Sequence, residues 1–549
     1  MCGNLIVSKG KFYVYIFCEL NLRNLLYVIV QTVKPVIINS GYSEGGASRS
    51  RSALRGYNPL KSSTKADIDV NLPLLRSRST DMYINSPIGA GAINSSRSNV
   101  IGAGLRLSPK PDYRLLGITA EQAKEWQRNT IREFNLWAGS KTCDLYRKNS
   151  FYDMQDIAYL SYLLDGDAWA AVKYRKPLPN NPYCLRVQLF EASRVCNPNT
   201  MNTGNIADWV VETHNPDNGN RIISGVEIDN DGAVVAYWIA SRVPFDLTNP
   251  ANTLIWKRVE AFGKRTGRPN VLQISHEERP EQYRGVPYIA PAIEVLKQVS
   301  RYTSAELTAA IIKSYFTLFF TSGTGTTNNL GDVLGETYGP HEKVTPEDLD
   351  DIDVGPGTMN LLPEGIDVKA IDGSRNLSTF EPFVNTLICQ IGASLGIPSE
   401  VLLSRFQSSY SAARGALLQA AAVFKTRRTW FARDFCQPIY ETWLAEAVAI
   451  GRIKAPGYGT DPLITAAWSS ADWFGPVMGM LDPVKEVNGA ALRVKYGFST
   501  GEREAAELTG TDYDNNIDQI AVEQGTWKAK GLEVPKADKT GGETQSNEG

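Results

Sequence analysis

One five-residue stretch of the chain matches an enzymatic motif literally. Gly392-Ala393-Ser394-Leu395-Gly396 has the Gly-x-Ser-x-Gly pattern of a nucleophile elbow. That chemistry needs a strand-to-helix turn that exposes the serine, and a histidine that takes its proton. The histidines are His214, His276 and His341, and all of them precede Ser394. The order serine, acid, histidine is therefore not met. Ser394 falls instead in the last turn of an amphipathic helix, with Gly396 placed as its C-cap. The sequence has no Gly-x-x-x-x-Gly-Lys-Ser/Thr phosphate cradle, no His-Glu-x-x-His and no Asp-x-Asp calcium loop. The 7 cysteines, at positions 2, 18, 143, 184, 196, 389 and 436, form no Cys-x-x-Cys pair. Zinc-ribbon and thioredoxin-like chemistry fail on that ground, and buried free thiols are expected. No catalytic residue, metal or cofactor is expected.

Charge is more informative than motif. The 549 residues carry 57 Lys+Arg and 59 Asp+Glu, a net charge of -2. A uniformly basic nucleic-acid coat is excluded, so any DNA contact must come from local patches. Residues 41–110 hold ten bases against four acids and read as a solvated basic arm, or as a contact for nucleic acid or an acidic neighbour. Residues 320–373 invert the sign, with 11 acids and only Lys343 and Lys369 as bases. This acidic stretch reads as a solvated loop or as a docking surface for a basic partner. Residues 401–433 are basic again, with Arg405, Arg414, Lys425, Arg427, Arg428 and Arg433 and no acid. Phe406, Tyr410, Phe424 and Trp430 are interleaved with them. That combination fits nucleic-acid contact or packing against acidic parts of neighbouring subunits.

These charges must be carried by definite elements. Periodicity predicts helices over 120–138 and 154–164, and strands over 168–172, 185–190, 208–212, 222–228 and 233–240. Asn230-Asp231-Gly232 marks a hairpin turn. Residues 290–316 read as one long helix with Pro291 in its first turn. Strands are expected at 359–362 and 366–371. A helix opens at Ser378-Thr379-Phe380-Glu381, a capping box, and stops at Gly396 and Pro398. A connector leads into a long helix over 410–450 that should kink at Pro438. Short helices are expected over 482–496 and 500–508, the second with a capping box at Ser499. The N-terminal apolar run is broken by Lys9, Lys11, Glu19, Arg23 and Lys34. It is too interrupted to span a membrane. A strand-like extension, or a start placed too far upstream, is expected there.

Several stretches resemble the lambda-type phage portal proteins, the head-tail connector family. Tyr283-Arg284-Gly285-Val286-Pro287-Tyr288, Ala290-Pro291 and Arg301-Tyr302-Thr303-Ser304-Ala305-Glu306-Leu307 resemble the lead into that family's stem. Leu395-Gly396-Ile397-Pro398-Ser399-Glu400-Val401-Leu402 and Tyr410-Ser411-Ala412-Ala413-Arg414 resemble the second stem helix and the start of the long helix. Asn99-Val100-Ile101-Gly102-Ala103-Gly104-Leu105, Asp482-Pro483-Val484-Lys485-Glu486 and Tyr496-Gly497-Phe498-Ser499-Thr500 extend the likeness to both ends. It covers about residues 57–524, and its strength lies in the order and spacing of motifs that are weak singly.

The resemblance implies an α+β portal architecture: a mixed α/β wing, a two-helix stem, a small α/β clip insertion and a long kinked crown/wing helix. The implied boundaries are an N-terminal extension at 1–56 and a wing at 57–288. The first stem helix follows at 289–316, an acidic clip at 317–377 and the second stem helix at 378–396. A tunnel loop at 397–410, the long helix with C-terminal helices at 411–526, and a disordered tail at 527–549 complete the chain. The implied function is a homododecameric ring at one capsid vertex of the virion, assembled in the host cytoplasm. It would conduct double-stranded DNA without reading sequence, in packaging and in ejection. The implied partners are the terminase large subunit, major capsid and scaffold proteins, and head-tail joining proteins, with no membrane. Arg405, Gln407, Ser408, Ser409 and Arg414 would face DNA in the channel. Asp348, Asp350, Asp351 and Asp353 would dock partners at the clip. The rivals are a DNA-packaging motor enzyme, which the missing phosphate cradle disfavours, and a neck adaptor protein, which should be shorter and lack a stalk.

Overall fold

The computed structural model describes residues 5–8, 11–14, 52–198, 212–244, 254–314, 318–320, 359–361, 380–406, 409–477 and 482–532. The chain divides into two compact units, Met1–Ser62 and Ser63–Gly549. The first holds an antiparallel hairpin of β1 (Leu5–Ser8) and β2 (Lys11–Val14), the strand-like extension expected there.

The second unit opens with α1 (Leu72–Asn85) and α2 (Pro87–Val100). Over 72–100 these helices correct the reading of 41–110 as a solvated arm, while 41–51 lie outside the described residues. Their sequences are rich in Ser and Gly, which hides them, yet Leu72, Met82, Ala92, Ile93 and Val100 are buried. Tertiary packing supplies the stability that propensity lacks. Then come β3 (Arg106–Pro109), α3 (Tyr113–Leu116), α4 (Ala120–Ala138) and α5 (Phe151–Asp165). Thr119 and Gln122 close a capping box at the start of α4, and Ser150 with Asp153 does the same for α5. Each box satisfies two amide N–H groups that the helix itself leaves unpaired.

Strands β4 (Asp167–Tyr174) and β5 (Leu185–Phe190) follow. Next is a meander of β6 (Thr213–His214), β7 (Arg221–Ile223), β8 (Val226–Ile228), β9 (Val234–Ala240) and β10 (Trp256–Glu260). β11 (Val271–Ser275) returns to pair with β4, so the order in that sheet is β11-β4-β5. The single strand expected over 222–228 is two, because Ser224 and Gly225 adopt left-handed φ values of 48° and 86° and reverse the chain. The expected strand at 208–212 lies mostly outside the described residues, as does that at 366–371.

β4 shows why the sheet sits where it does. Ala168 and Ala170 face a helical core built on Phe134, Trp137, Phe151, Phe435, Tyr440 and Trp443. Trp169 and Ala171 face a second cluster with Val195, Ile223, Val226 and Tyr237 of the meander side. Alternation at period two thus buries both faces of one strand.

The remaining helices are α6 (Ile293–Ser314), α7 (Phe380–Leu395), α8 (Ser399–Leu403), α9 (Tyr410–Phe431) and α10 (Gln437–Ala449). A parallel pair of β12 (Leu318–Phe320) and β13 (Met359–Leu361) lies between α6 and α7 in the chain. The long helix expected over 410–450 is interrupted by a π segment at Ala432–Cys436, just before Pro438. Gln437 N–H bonds the Ala432 carbonyl, five residues back, which fits a site where Pro438 can donate nothing. α11 (Pro462–Ser469) and β14 (Ala471–Phe474) follow, and β14 pairs antiparallel with β3. α12 (Pro483–Lys495), α13 (Gly501–Thr509) and α14 (Tyr513–Ala529) end the described chain. α13 is capped by Thr500, not by a box at Ser499. α14 carries helix three residues into the stretch expected to be a disordered tail. Cys143, Cys196 and Cys436 are buried thiols as expected, but Cys389 is exposed.

Candidate functional site

The corner between α7, α8 and α9 gathers the basic residues singled out by the sequence. It begins at the literal Gly-x-Ser-x-Gly. Gly396 N–H bonds the Ala393 carbonyl at 3.4 Å and Ile397 N–H the Gly392 carbonyl at 2.9 Å. With Gly396 at φ 68° this is a Schellman motif. Ser394 Oγ donates back to the Ile391 carbonyl at 2.8 Å, and no histidine stands near it among its hydrogen-bond partners. Gly392 is needed for another reason: a Cβ there would overlap the Ile397 carbonyl oxygen. Ser394→Ala is therefore expected to shift the unfolding free energy by no more than about 0.5 kcal/mol. Gly392→Ala should cost more than Ser394→Ala in the same urea titration, and equal effects would refute the cap assignment.

The expected loop at 397–410 contains α8, one short helix whose C-cap Ser404 sits at φ 52°. The chain leaves it at Arg405. The Arg405 guanidinium is 51% exposed and its Nη1 donates to Glu381 Oε1 at 2.9 Å. Glu381 lies in the first turn of α7, so the ion pair spans the corner. Ser409 is the N-cap of α9, its Oγ accepting from Ala412 N–H at 3.4 Å. That uses one lone pair of the Ser409 hydroxyl and leaves its O–H to donate elsewhere. Gln407 and Ser408 lie outside the described residues, and so do Asp348, Asp350, Asp351 and Asp353.

Arg414 is half-buried on α9 and lines an open groove of about 1980 Å³ between α9 and the α12–α13 helices. Lys110, Lys425, Arg428, Arg433, Lys485, Arg493 and Arg503 line it too, against the acids Asp472, Glu486 and Glu507. Several of these cations are already paired. Lys425 Nζ meets Glu507 Oε1 at 3.0 Å, and Arg493 Nη2 meets Glu504 Oε2 at 2.6 Å. Lys110 Nζ meets Asp472 Oδ2 at 2.6 Å. Arg414 has no ion pair among the described residues. Its charge acts on Asp482, the N-cap of α12. Asp482 is held below its ordinary range first by hydrogen bonds from Lys485 and then by the charges of Lys485 and Arg414.

Two arginines of the basic run serve the fold. Arg427 Nη2 donates to the Leu395 carbonyl at 3.0 Å, at the C-terminus of α7. Its guanidinium lies 4.2 Å from the Tyr288 ring centre, and Tyr288 OH donates to the same carbonyl at 2.5 Å. Arg428 donates to the carbonyls of Asn99, Val100 and Pro476 at 2.7–3.1 Å. Both cations thus sit at helix C-termini, where the last carbonyls lack partners and the dipole is negative. Phe424 and Trp430 are buried. Of the basic members of this stretch, Arg405, Arg414, Lys425 and Arg433 are left turned outward or into the groove, with Lys425 paired to Glu507 and Arg433 to Asp434. Glu381 was the partner that sequence reasoning missed. It lies 24 residues away, and nothing local signals it.

A separate polar hub is centred on Asp167. Asp167, fully buried, accepts from Arg284 Nε at 2.5 Å, Arg284 Nη2 at 3.3 Å and Arg76 Nη2 at 2.8 Å. Arg284 also donates to the carbonyls of Val195, Ser224 and Ala192 at 2.6–2.9 Å.

The family model described as phage portal protein, lambda family, matches residues 50–428. The portal protein of Escherichia phage N15 is 26% identical over 514 residues, covering 90% of this chain and 92% of that relative. Portal protein B of Escherichia phage lambda is 25% identical over 513 residues, covering 90% and 91%. Among solved structures, a chain from the virion of a native gene transfer agent particle aligns at 11% identity with a TM-score of 0.37. That alignment covers 79% of this chain and 92% of that one.

Proposed function

The chain belongs to the lambda family of phage portal proteins, and on that premise we propose that it builds a closed ring at one vertex of the phage head, the channel through which DNA is packaged and ejected. The observation that carries this reading is the family match, which spans α1 through most of α9 and so includes the whole α7–α8–α9 corner. On the same reading α6 and α7 are the stem helices and residues 317–377 are the clip. The wing is the mixed body that precedes α6. Portal proteins are virion components, and no helix among the described residues is long and apolar enough to cross a membrane.

Exposed apolar side chains support a ring. Leu307 on α6, Phe383 on α7 and Leu418 on α9 are at least half exposed in the single chain. Neighbouring copies would cover them, with burial worth roughly 25 cal/mol per Å². The acidic residues Asp348, Asp350, Asp351 and Asp353 would meet the terminase large subunit and, later, head-tail joining proteins. Major capsid and scaffold proteins would hold the wing.

In a ring, one Arg405 per subunit becomes a circle of guanidinium groups. Each would meet phosphate rather than bases, as a conduit requires. The Glu381 pair keeps each interaction modest, since the guanidinium is shared. Imaging of purified assemblies should show rings with a central channel. Arg405→Ala should leave those rings intact and lower the DNA retained in filled heads. For every phosphate that no longer meets a guanidinium, the salt slope of binding should fall by about 0.9. Equal DNA content in nuclease-challenged mutant and wild-type heads would place Arg405 against protein.

A further inference from the structure

Away from the corner, the β4–β5 turn and the loop before α5 form an open pocket of about 580 Å³. Arg147, Arg175, Lys176 and Arg186 line it against one acid, Asp144. Asp144 is buried and its oxygens build the loop. Oδ1 accepts from Tyr146 N–H at 3.0 Å, and Oδ2 from Lys148 and Asn149 N–H at 3.0 and 3.2 Å. Arg147 is held at φ 58°, with its N–H on the Asp144 carbonyl at 3.1 Å. The loop therefore presents Arg147 in one fixed backbone conformation.

Arg186 forms the inner wall and is only 3% exposed. Nη1 donates to the carbonyls of Tyr183 and Leu185 at 2.8 and 2.7 Å. Nη2 is buried and has no acceptor among the described residues. A buried charged donor without an acceptor is costly. Arg147 adds like-charge repulsion, which with burial, the larger cause, pushes the Arg186 guanidinium down from its ordinary range. Glu446 opposes this, but its carboxylate oxygens accept from the amides of Cys184 and Leu185.

We propose that this pocket binds a phosphate-class oxyanion, either free phosphate or the phosphate end of a nucleotide, gripped by Arg147 and Arg175 and drawn in by the buried charge of Arg186 behind them. A terminal phosphate offers three acceptor oxygens and up to two charges, which suits forks arriving from different sides. A carboxylate offers two oxygens in one plane. A DNA duplex presents its phosphates on a convex ridge, which keeps their charge farther from the buried Arg186 than a small anion seated in the pocket.

The test titrates the full-length protein with inorganic phosphate at constant ionic strength, with chloride as the balancing anion. Calorimetry should show saturable binding, and the melting temperature should rise. Arg147→Glu/Arg175→Glu should weaken binding by about tenfold or more. Both side chains are exposed, and Arg147→Ala/Arg175→Ala serves if the charge reversal disturbs the loop. Parallel titrations use ADP, a poly-glutamate peptide and a short DNA duplex. Tighter binding of ADP than of phosphate names a nucleotide as the source, and the reverse names free phosphate. The proposal is overturned if only the peptide or only the duplex binds, if chloride acts like phosphate, or if both double variants bind as wild type does.

Discussion

Asp167→Ala is expected to cost the folded chain about 3–5 kcal/mol, the usual effect of removing one partner from a buried ion cluster. The reason is what stays behind. Arg284 is 1% exposed and Arg76 is largely buried, and both aim guanidinium donors at this carboxylate. Arg284 keeps its three carbonyl acceptors, but its charge loses compensation. The hub ties α1, the first residue of β4, the Ala192 turn and the β7–β8 turn, so several elements loosen together. Urea denaturation of the purified chain measures this, and a loss below about 1 kcal/mol would show that the hub carries little.

The same cluster sets a pH signature with two opposite signs. Burial alone would raise the Asp167 carboxyl, but the charges of Arg284 and Arg76 hold it below its ordinary 3.8. A carboxyl with a depressed folded pKa contributes stability above its unfolded value, and that contribution is lost as pH falls through the folded one. Asp167 should therefore defend the fold down to about pH 4 and fail below it. Its neighbour Asp165 runs the other way. Burial pushes its carboxyl up to about 6. Ionising it costs the folded state above that pH, and protonation between about pH 6 and 4 relieves the cost. Asp167→Ala should shrink the acid limb of the stability profile, to which Glu227 and Glu212 also contribute, and should reduce the Asp165 gain, because burial and then the Asp167 charge raise that carboxyl.

Gly285→Ala should be at least as damaging, with a loss of about 3 kcal/mol or more and little soluble protein. Gly166, the C-cap of α5 at φ 85°, and Gly285 pass backbone against backbone. A Cβ on Gly285 would overlap the Gly166 carbonyl oxygen, and one on Gly166 would overlap the Gly285 carbonyl. Neither side is a flexible chain end, so the strain cannot be shed by a rotamer change. Gly415→Ala is the control. Gly415 lies inside α9 with open space around it, and the same substitution there should stabilise by about 0.5–1 kcal/mol. Comparable melts for the two variants would refute the close approach.

Both glycines show how far local reading reaches. Tyr283-Arg284-Gly285 stands in the sequence as a motif, but Arg284 meets Asp167 117 residues away. Nothing around position 284 says that its charge is buried. The helix over 120–138, by contrast, was fully legible, because its capping box and apolar spacing act within four residues. The same holds for the Gly396 cap and for the turn at Asn230-Asp231-Gly232, where Gly232 has φ 88°. α1 and α2 were missed because their stability comes from packing of Leu72, Ile93 and Val100, which weak propensity does not reveal.

By itself the sequence determined what depends on near neighbours. It set the capped helices, the alternating strands, the absence of a histidine for Ser394, and the order of motifs that marks the family. Only the tertiary structure decided the fate of each charge. Arg427 and Arg428 adjoin in the chain, yet one closes α7 at Leu395 and the other closes α2 at Val100. Arg405 stays at the surface on Glu381, and Arg186 is buried beside Arg147. All of these arginines carry the same charge and side chain. What separates a staple from an exposed group is the desolvation and the acceptors met at long range, and those exist only once distant segments have come together.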